Sequence, residues 1–514
     1  MTDTSPDATS SPESPPSSLP TGPTSLGQAS QASRARWGMI AALIVQLSTV
    51  ASTIVPARYL SPREFALVAA GTVVAGLFGI VADGGYGQAL VTGDRADQVR
   101  ISSTFWSALG VSSAMAIVIA VTAPWTASVI GNAEATPYIA ATGVLLPLGV
   151  VMTVVQSVHF RRFNHRIVYI GQIVQAIATA VIPIILVVNG VGAWALVFGR
   201  VAGALSIVIV LMVFGKVWPS FVFDKQVVID DLAFNTGALG NNVMTYGSKN
   251  LDYWVLGHFV GGAAFGAYYV AFVLPQVIRQ RGTWLSQQLL FPVLARLTNN
   301  EAQFRSTYLS GLQLVAAFVM PALIGVSVAA DLVVDIAFGS QWTAAIGPLR
   351  LLGIASTVDV VSAVGITVFL SRREMQSVAK QQLVRLGALA VGLIAVPITR
   401  DIRAAAAAVL FSAVVGGFAT ARAMKLRNIT TPSEQFRTLL PVIVPTILMV
   451  VGVEAFRWVV RGSLGTIAEI VAVAVVGGVV YLGSGLLLYR STFREFLRRA
   501  SEISGVRRLA RRAA

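Results

Sequence analysis

The chain has 514 residues, of which 55% are hydrophobic and only 12% charged, with a mean hydropathy of +0.73. Soluble domains carry about twice that charge fraction, so the composition excludes an ordinary soluble fold and predicts an all-α polytopic membrane protein. The chain has no cysteine and three scattered histidines, His159, His165 and His258. This excludes disulfides and cysteine chemistry and makes a metal site unexpected, so no cofactor is expected. The formal net charge of +15 would suggest nucleic acid in a soluble protein. In a membrane protein it reads as the Lys and Arg excess of cytoplasmic connections, and no nucleic-acid partner is expected.

Residues 1–33 are rich in Ser, Pro and Thr and carry only acidic charges. Such a segment cannot bury enough apolar surface to fold, and it lacks the basic start and apolar core of a signal peptide. It is expected to be a disordered cytoplasmic tail. A span needs roughly 20 apolar residues. By that measure about 14 spans are expected, near 37–57, 65–91, 104–127, 137–159, 167–188, 191–214, 233–257, 263–295, 307–330, 344–370, 378–398, 402–424, 437–457 and 464–489. With the N-terminus inside, inner connections hold clusters such as Arg161, Arg162 and Arg166 or Arg372, Arg373 and Lys380, while outer ones such as Asn189-Gly190 hold none. Arg58 and Arg63, Arg400 and Arg403, and Arg457 and Arg461 are exceptions. The bias predicts a multi-pass protein with both termini cytoplasmic.

The span arithmetic predicts two six-helix lobes, 34–215 and 233–425, around a central cavity. Residues 216–232, with Trp218, Phe221, Asp224 and Asp230, are expected as an amphipathic cytoplasmic linker. Two extra helices fill 426–489, and the arginine-rich tail 490–514 is expected to lie on the anionic lipids of the inner leaflet.

Several charges fall inside predicted spans, where they are costly and usually face a cavity or a partner. Asp83 stands in Ala82-Asp83-Gly84-Gly85-Tyr86-Gly87, in the inner half of the second span. It is a gating or coupling candidate, set against a carboxylate at the headgroup boundary. Its glycines allow close helix approach or a bend. Arg200 lies near mid-depth of the sixth span and either pairs with an acid or binds an anionic headgroup. Lys249 and Asp252 are three residues apart on one helix face. They form either an intrahelical pair or a lumen-facing pair at an outer gate. Arg279 and Arg281, with Gln276, Gln280, Gln287 and Gln288, read as one polar helix face suited to phosphate, or as a helix extension outside the bilayer. Asp359, Glu454 and Glu469 read as structural or interfacial acids, and His159 as interfacial.

No GxxxxGK[ST] phosphate loop and no Gly-x-Ser-x-Gly elbow is present. The connections are too short for the long outer loop of an integral-membrane glycan polymerase or ligase. A transporter is therefore expected rather than an enzyme.

The segment Ala57-Arg58-Tyr59-Leu60-Ser61-Pro62-Arg63-Glu64-Phe65, followed by Ala82-Asp83-Gly84-Gly85-Tyr86-Gly87-Gln88-Ala89-Leu90, resembles the start of the polysaccharide transporter family. Asn250-Leu251-Asp252-Tyr253-Trp254, Gly266-Ala267-Tyr268-Tyr269 and Phe291-Pro292-Val293-Leu294-Ala295-Arg296-Leu297 resemble it too. These are oligosaccharide flippases of the multidrug/oligosaccharidyl-lipid/polysaccharide exporter superfamily, and the resemblance covers about residues 37–430. It implies alternating access and export of a polyprenyl-pyrophosphate-linked oligosaccharide across the bacterial plasma membrane. Glycosyltransferases or a polysaccharide polymerase would be pathway partners. Arg58, Asp83, Lys249 and Asp252 are the residues matched to family patterns, whereas Arg200, Arg279 and Arg281 come from the physical reading alone. The alternatives are a multidrug/cation antiporter or a lipid II flippase of the same superfamily, and a polymerase or ligase.

Overall fold

The computed structural model describes residues 25–87, 90, 98–162, 164–460, 465–490 and 493. Expectations for the first 24 residues and for the basic tail beyond Arg490 fall outside this set. Among the described residues the chain is helical, with no strand. The first lobe comprises α1 (Ser25–Tyr59), α2 (Pro62–Asp83), α3 (Gln98–Val129), α4 (Ala133–Arg161, broken at Gly143-Val144), α5 (His165–Val188) and α6 (Trp194–Phe214). The second comprises α7 (Lys225–Phe259), α8 (Gly262–Leu285), α9 (Glu301–Val328), α10 (Ser340–Ser371), α11 (Met375–Thr399) and α12 (Ile402–Leu426). Helices α13 (Pro432–Val460) and α14 (Thr466–Leu488) follow.

Twelve of the described helices are long and apolar enough to cross a membrane. The expected count of fourteen exceeds this by α7 and α8. These two are as long, but α7 carries Lys249 and Asp252, and α8 carries Gln276, Arg279, Gln280 and Arg281. A helix that lines a polar interior loses the apolar signature that a lipid-facing helix keeps.

Three boundaries differ from expectation. Helix α1 is described from Ser25 on, inside the stretch expected as tail. Helix α2 covers Pro62–Asp83 instead of 65–91. Ser61 caps it, accepting from the Glu64 amide at 3.3 Å while Glu64 Oε2 accepts from the Ser61 amide at 2.8 Å. Gly84 and Gly85, at φ +45° and +72°, end it in left-handed geometry. The expected linker 216–232 is extended only up to Asp224, whose side chain caps α7 through the Gln226 amide at 2.8 Å. That extended strap lies on α3. Trp106 Nε1 donates to the Ser220 carbonyl at 2.9 Å, and Phe221 stacks on the Trp106 ring.

The two lobes repeat one packing scheme with a shift of six helices. In the first, α1 packs on α5, α5 on α6, and α4 on α2, α3 and α6. In the second, α7 packs on α11, α11 on α12, and α10 on α8, α9 and α12. Small residues allow the close pairs. A β-carbon on Gly203 of α6 would stand 2.0 Å from Thr179 Oγ1 of α5, and one on Gly199 would stand 2.4 Å from Pro183. This is a small-xxx-small contact at four-residue spacing. The lobes meet mainly where α2 lies along α8, with α7 against α2 and α3. Helices α13 and α14 attach to the second lobe. Arg457 of α13 bonds Asp331 in the short helix Ala330–Ala337 and reaches Glu469 of α14 at 3.3 Å.

Candidate functional site

The lobes are sealed at the end of the bundle that carries the turn between α1 and α2. Trp342 Nε1 donates to the Ala57 carbonyl at 2.8 Å, and Gln341 Nε2 donates to the carbonyls of Ala57 at 2.9 Å and Leu60 at 3.2 Å. The Phe65 ring meets Trp342 edge-on, and Arg58 donates to the Ile336 carbonyl. Gly266, near the start of α8, sits under the Pro62 carbonyl, where a β-carbon would stand 1.9 Å from the oxygen. These contacts join α1 and α2 of one lobe to α8, α10 and the short helix of the other.

Below the seal lies a cavity of about 420 Å³ between α1, α5 and α6 on one side and α7 and α8 on the other. Its size is that of a small-molecule site. Ser48, Thr49, Ser52 and Thr53 face it from α1, Gln172, Gln175 and Thr179 from α5, and Gln276 and Gln280 from α8. Tyr253, Tyr269 and Phe272 add aromatic faces. None of its lining residues is acidic, and its one charge is Arg200. Arg200 donates to the Thr72 hydroxyl and, at 3.2 Å, to the Tyr269 hydroxyl, and it pairs with no carboxylate among the described residues. Of the two readings of Arg200, the pairing with an acid is not seen among the described residues, and the cation is held by neutral hydroxyls. At the end away from the seal, Arg281 crosses from α8 to α1. It donates to Gln46 Oε1 at 3.0 Å and to the Ala42 carbonyl at 2.8 Å, one turn beyond the cavity-lining Val45.

A second, smaller cavity of about 30 Å³ lies within the second lobe and shares Phe272 with the first. It gathers Lys249 and Asp252 of α7, Arg279 of α8, Asp359 of α10 and Arg385 of α11. Asp359 receives Arg385 Nη2 at 2.8 Å and Arg279 Nη1 at 3.6 Å. Asp252 is 1% exposed and accepts from the Tyr268 hydroxyl at 2.6 Å. Among the described residues no ion pair joins Lys249 to Asp252, so of their two readings the intrahelical pair is not formed. Tyr268 takes the carboxylate instead.

The seven sequence candidates are thus divided among five places. Arg200 is in the large cavity, and Arg279, Lys249 and Asp252 are in the small one. Arg281 bridges α8 and α1, Arg58 is in the seal, and Asp83 ends α2 without lining either cavity. Arg279 and Arg281 do not share a face, because residues two apart on a helix point to nearly opposite sides. His159 is buried and bonds the Leu211 carbonyl at 3.0 Å, so it ties α4 to α6 rather than lying at an interface. Sequence reasoning missed Arg385, an arginine inside an apolar run, and the polar stripes of α1 and α5. Gln172, Gln175 and Thr179, at spacings of three and four, formed a readable helix face.

Comparison with known proteins adds to this geometry. The family profile described as "Polysaccharide biosynthesis protein" matches residues 55–347, more than half of the chain. The chain belongs to this family. It is 26% identical over 302 residues to the succinoglycan biosynthesis transport protein ExoT of Rhizobium meliloti, covering 59% of this chain and 61% of that protein. The match therefore spans less than two thirds of the relative. It is 23% identical over 337 residues to the lipopolysaccharide biosynthesis protein WzxC of Escherichia coli, covering 64% of this chain and 67% of that one. Among solved structures, the family member's fold is similar to the lipid II flippase MurJ in an inward closed conformation, with a TM-score of 0.69 at 12% identity over 88% of this chain and 98% of that one. It is also similar to an inward-facing multidrug transporter of the MATE family, with a TM-score of 0.60 at 15% identity over 74% and 94% of the two chains. At these identities the likeness is one of fold.

Proposed function

We propose that this membrane protein is a flippase that carries a polyprenyl-pyrophosphate-linked oligosaccharide across the bacterial plasma membrane by alternating access, for cell-surface polysaccharide assembly. The observation that carries the reading is the large cavity. It is lined with hydroxyls and amides, has one uncompensated arginine and no acid. Hydroxyls and amides suit sugar hydroxyls, and a guanidinium presents a planar fork to phosphate oxygens. A cationic drug would find no carboxylate there, which disfavours the cation antiporter. The family and the transport protein named for succinoglycan support the same substrate class. Arg200 is the phosphate or acidic-sugar ligand, with Arg279, Lys249 and Asp252 supplying a charged second wall. Arg58 belongs to the seal at the outer end, Arg281 to the inner tie and Asp83 to the inner end of α2, with both termini cytoplasmic. Lipid-linked sugars and bilayer lipids are the partners, and glycosyltransferases or a polymerase act before or after it.

The test is a reconstitution. Vesicles containing the full chain and a fluorescent polyprenyl-pyrophosphate oligosaccharide should move label to the outer leaflet faster than empty vesicles. A protein that moves no such lipid but exports cationic dyes would sink the reading. Equal movement of lipid II would favour the lipid II alternative.

A further inference from the structure

We infer that Arg279 is an exchangeable cation, paired with Asp359 and transferred past Phe272 to an anionic group when one binds in the large cavity. The inference rests on the flippase reading and adds how charge in the second lobe takes part.

Two observations carry it. The first is charge balance. The small cavity gathers three cations, Lys249, Arg279 and Arg385, against two carboxylates, Asp252 and Asp359. Departure of any one cation leaves two of each, so one positive charge is in surplus, and the ion-pair distances single out which. The second is how loosely Arg279 is held. Arg385 sits on Asp359 at 2.8 Å, whereas Arg279 stands off at 3.6 Å; the buried Nε atoms of both arginines lack an acceptor among the described residues. A buried donor left unsatisfied favours any arrangement that satisfies it. Only Phe272, which lines both cavities, is shared by the two compartments, and Arg279 lies on α8 between Gln276 and Gln280, which already face the large one. A bound anion would therefore offer Arg279 a partner across one ring and place it opposite Arg200. Asp359 and that anion compete for the same guanidinium. The anion is a pyrophosphate or a sugar carboxylate, since either matches the fork.

The experiment uses the full chain in detergent, with farnesyl pyrophosphate and digalacturonate as separate probes. Affinity and thermal unfolding are measured for each variant. Arg279→Gln should bind the favoured probe about tenfold more weakly, the loss of one charge-assisted bond, while its unfolding temperature stays near that of the parent because the remaining charges balance. Asp359→Asn should bind about threefold or more tightly, having lost the competing anion, and Asp359→Glu should bind like the parent. The double variant should bind no more tightly than Arg279→Gln alone. Whichever probe responds names the source of the anion. A parent that binds neither probe would remove the flippase reading and the exchange together. A parent that binds, with Arg279→Gln unchanged in affinity or Asp359→Asn no tighter, would overturn the exchange alone. A lower unfolding temperature in Arg279→Gln without loss of affinity would mark a purely structural pair and overturn it as well. If Asp359→Asn is not monodisperse, Arg279→Gln alone decides between these outcomes.

Discussion

Arg200 holds its position with neutral partners. Thr72 of α2 and Tyr269 of α8 fix its guanidinium, yet neither cancels its charge. A structural ion pair would be broken by an incoming anion, but this arginine has none to break. Arg200→Ala is expected to reduce affinity for a pyrophosphate lipid about tenfold or more, the scale of a lost charge-assisted bond. Arg200→Lys should fall between, since a lysine keeps the charge but loses the two-oxygen fork. Titration of the variants with farnesyl pyrophosphate checks the order. An unchanged affinity in Arg200→Ala would remove this residue from the site.

At the scale of helices, close packing and cross-helix ties set the shape of the cavity. Gly203 lets α6 approach α5 at Thr179, so Gly203→Val should overpack that pair and cost about 1–3 kcal/mol. Thermal unfolding in detergent measures it, and a parent-like midpoint would contradict the contact. Arg281 is the tie between α8 and α1 at the cavity's far end. Arg281→Ala should free the ends of these helices. Because the chain lacks cysteine, a single cysteine at Gln280 reports this directly. Its labelling by a water-soluble maleimide should speed up several-fold in the Arg281→Ala background. No change in labelling would mean that Arg281 does not restrict entry.

At the scale of the whole molecule, the two lobes touch through a sealed end whose bonds run from Ala57 and Leu60 to Gln341 and Trp342. Under the proposed alternating access, opening to that side requires those bonds to break while each lobe keeps its own repeated packing. Cysteines placed at Ala57 and Gln341 and joined by a short bifunctional thiol reagent should stop lipid movement, and a cleavable linker should restore it on reduction. Transport that continues while the link is intact would show that this end stays closed throughout the cycle.

The order of helices, the membrane class and the two six-helix lobes were readable from residues alone, because hydrophobic length and proline and glycine breaks act locally along the chain. Placement of charges was not. Arg279 and Arg281 looked like one face but point to different helices, and Lys249 and Asp252 line one small cavity without pairing, the carboxylate being taken by Tyr268. Asp359 read as structural or interfacial, and its partners, arginines from α8 and α11, were not legible. Which partner a buried charge takes depends on helices far away in sequence that the fold brings within about 4 Å, and only there does a charge find its lowest energy. Sequence by itself determined that this protein crosses the membrane many times and carries costly charges within it. Only the tertiary structure decided that one of them, Arg200, stands among neutral hydroxyls in a cavity lined by hydroxyls and amides, and that another, Arg279, reaches Asp359 of a distant helix.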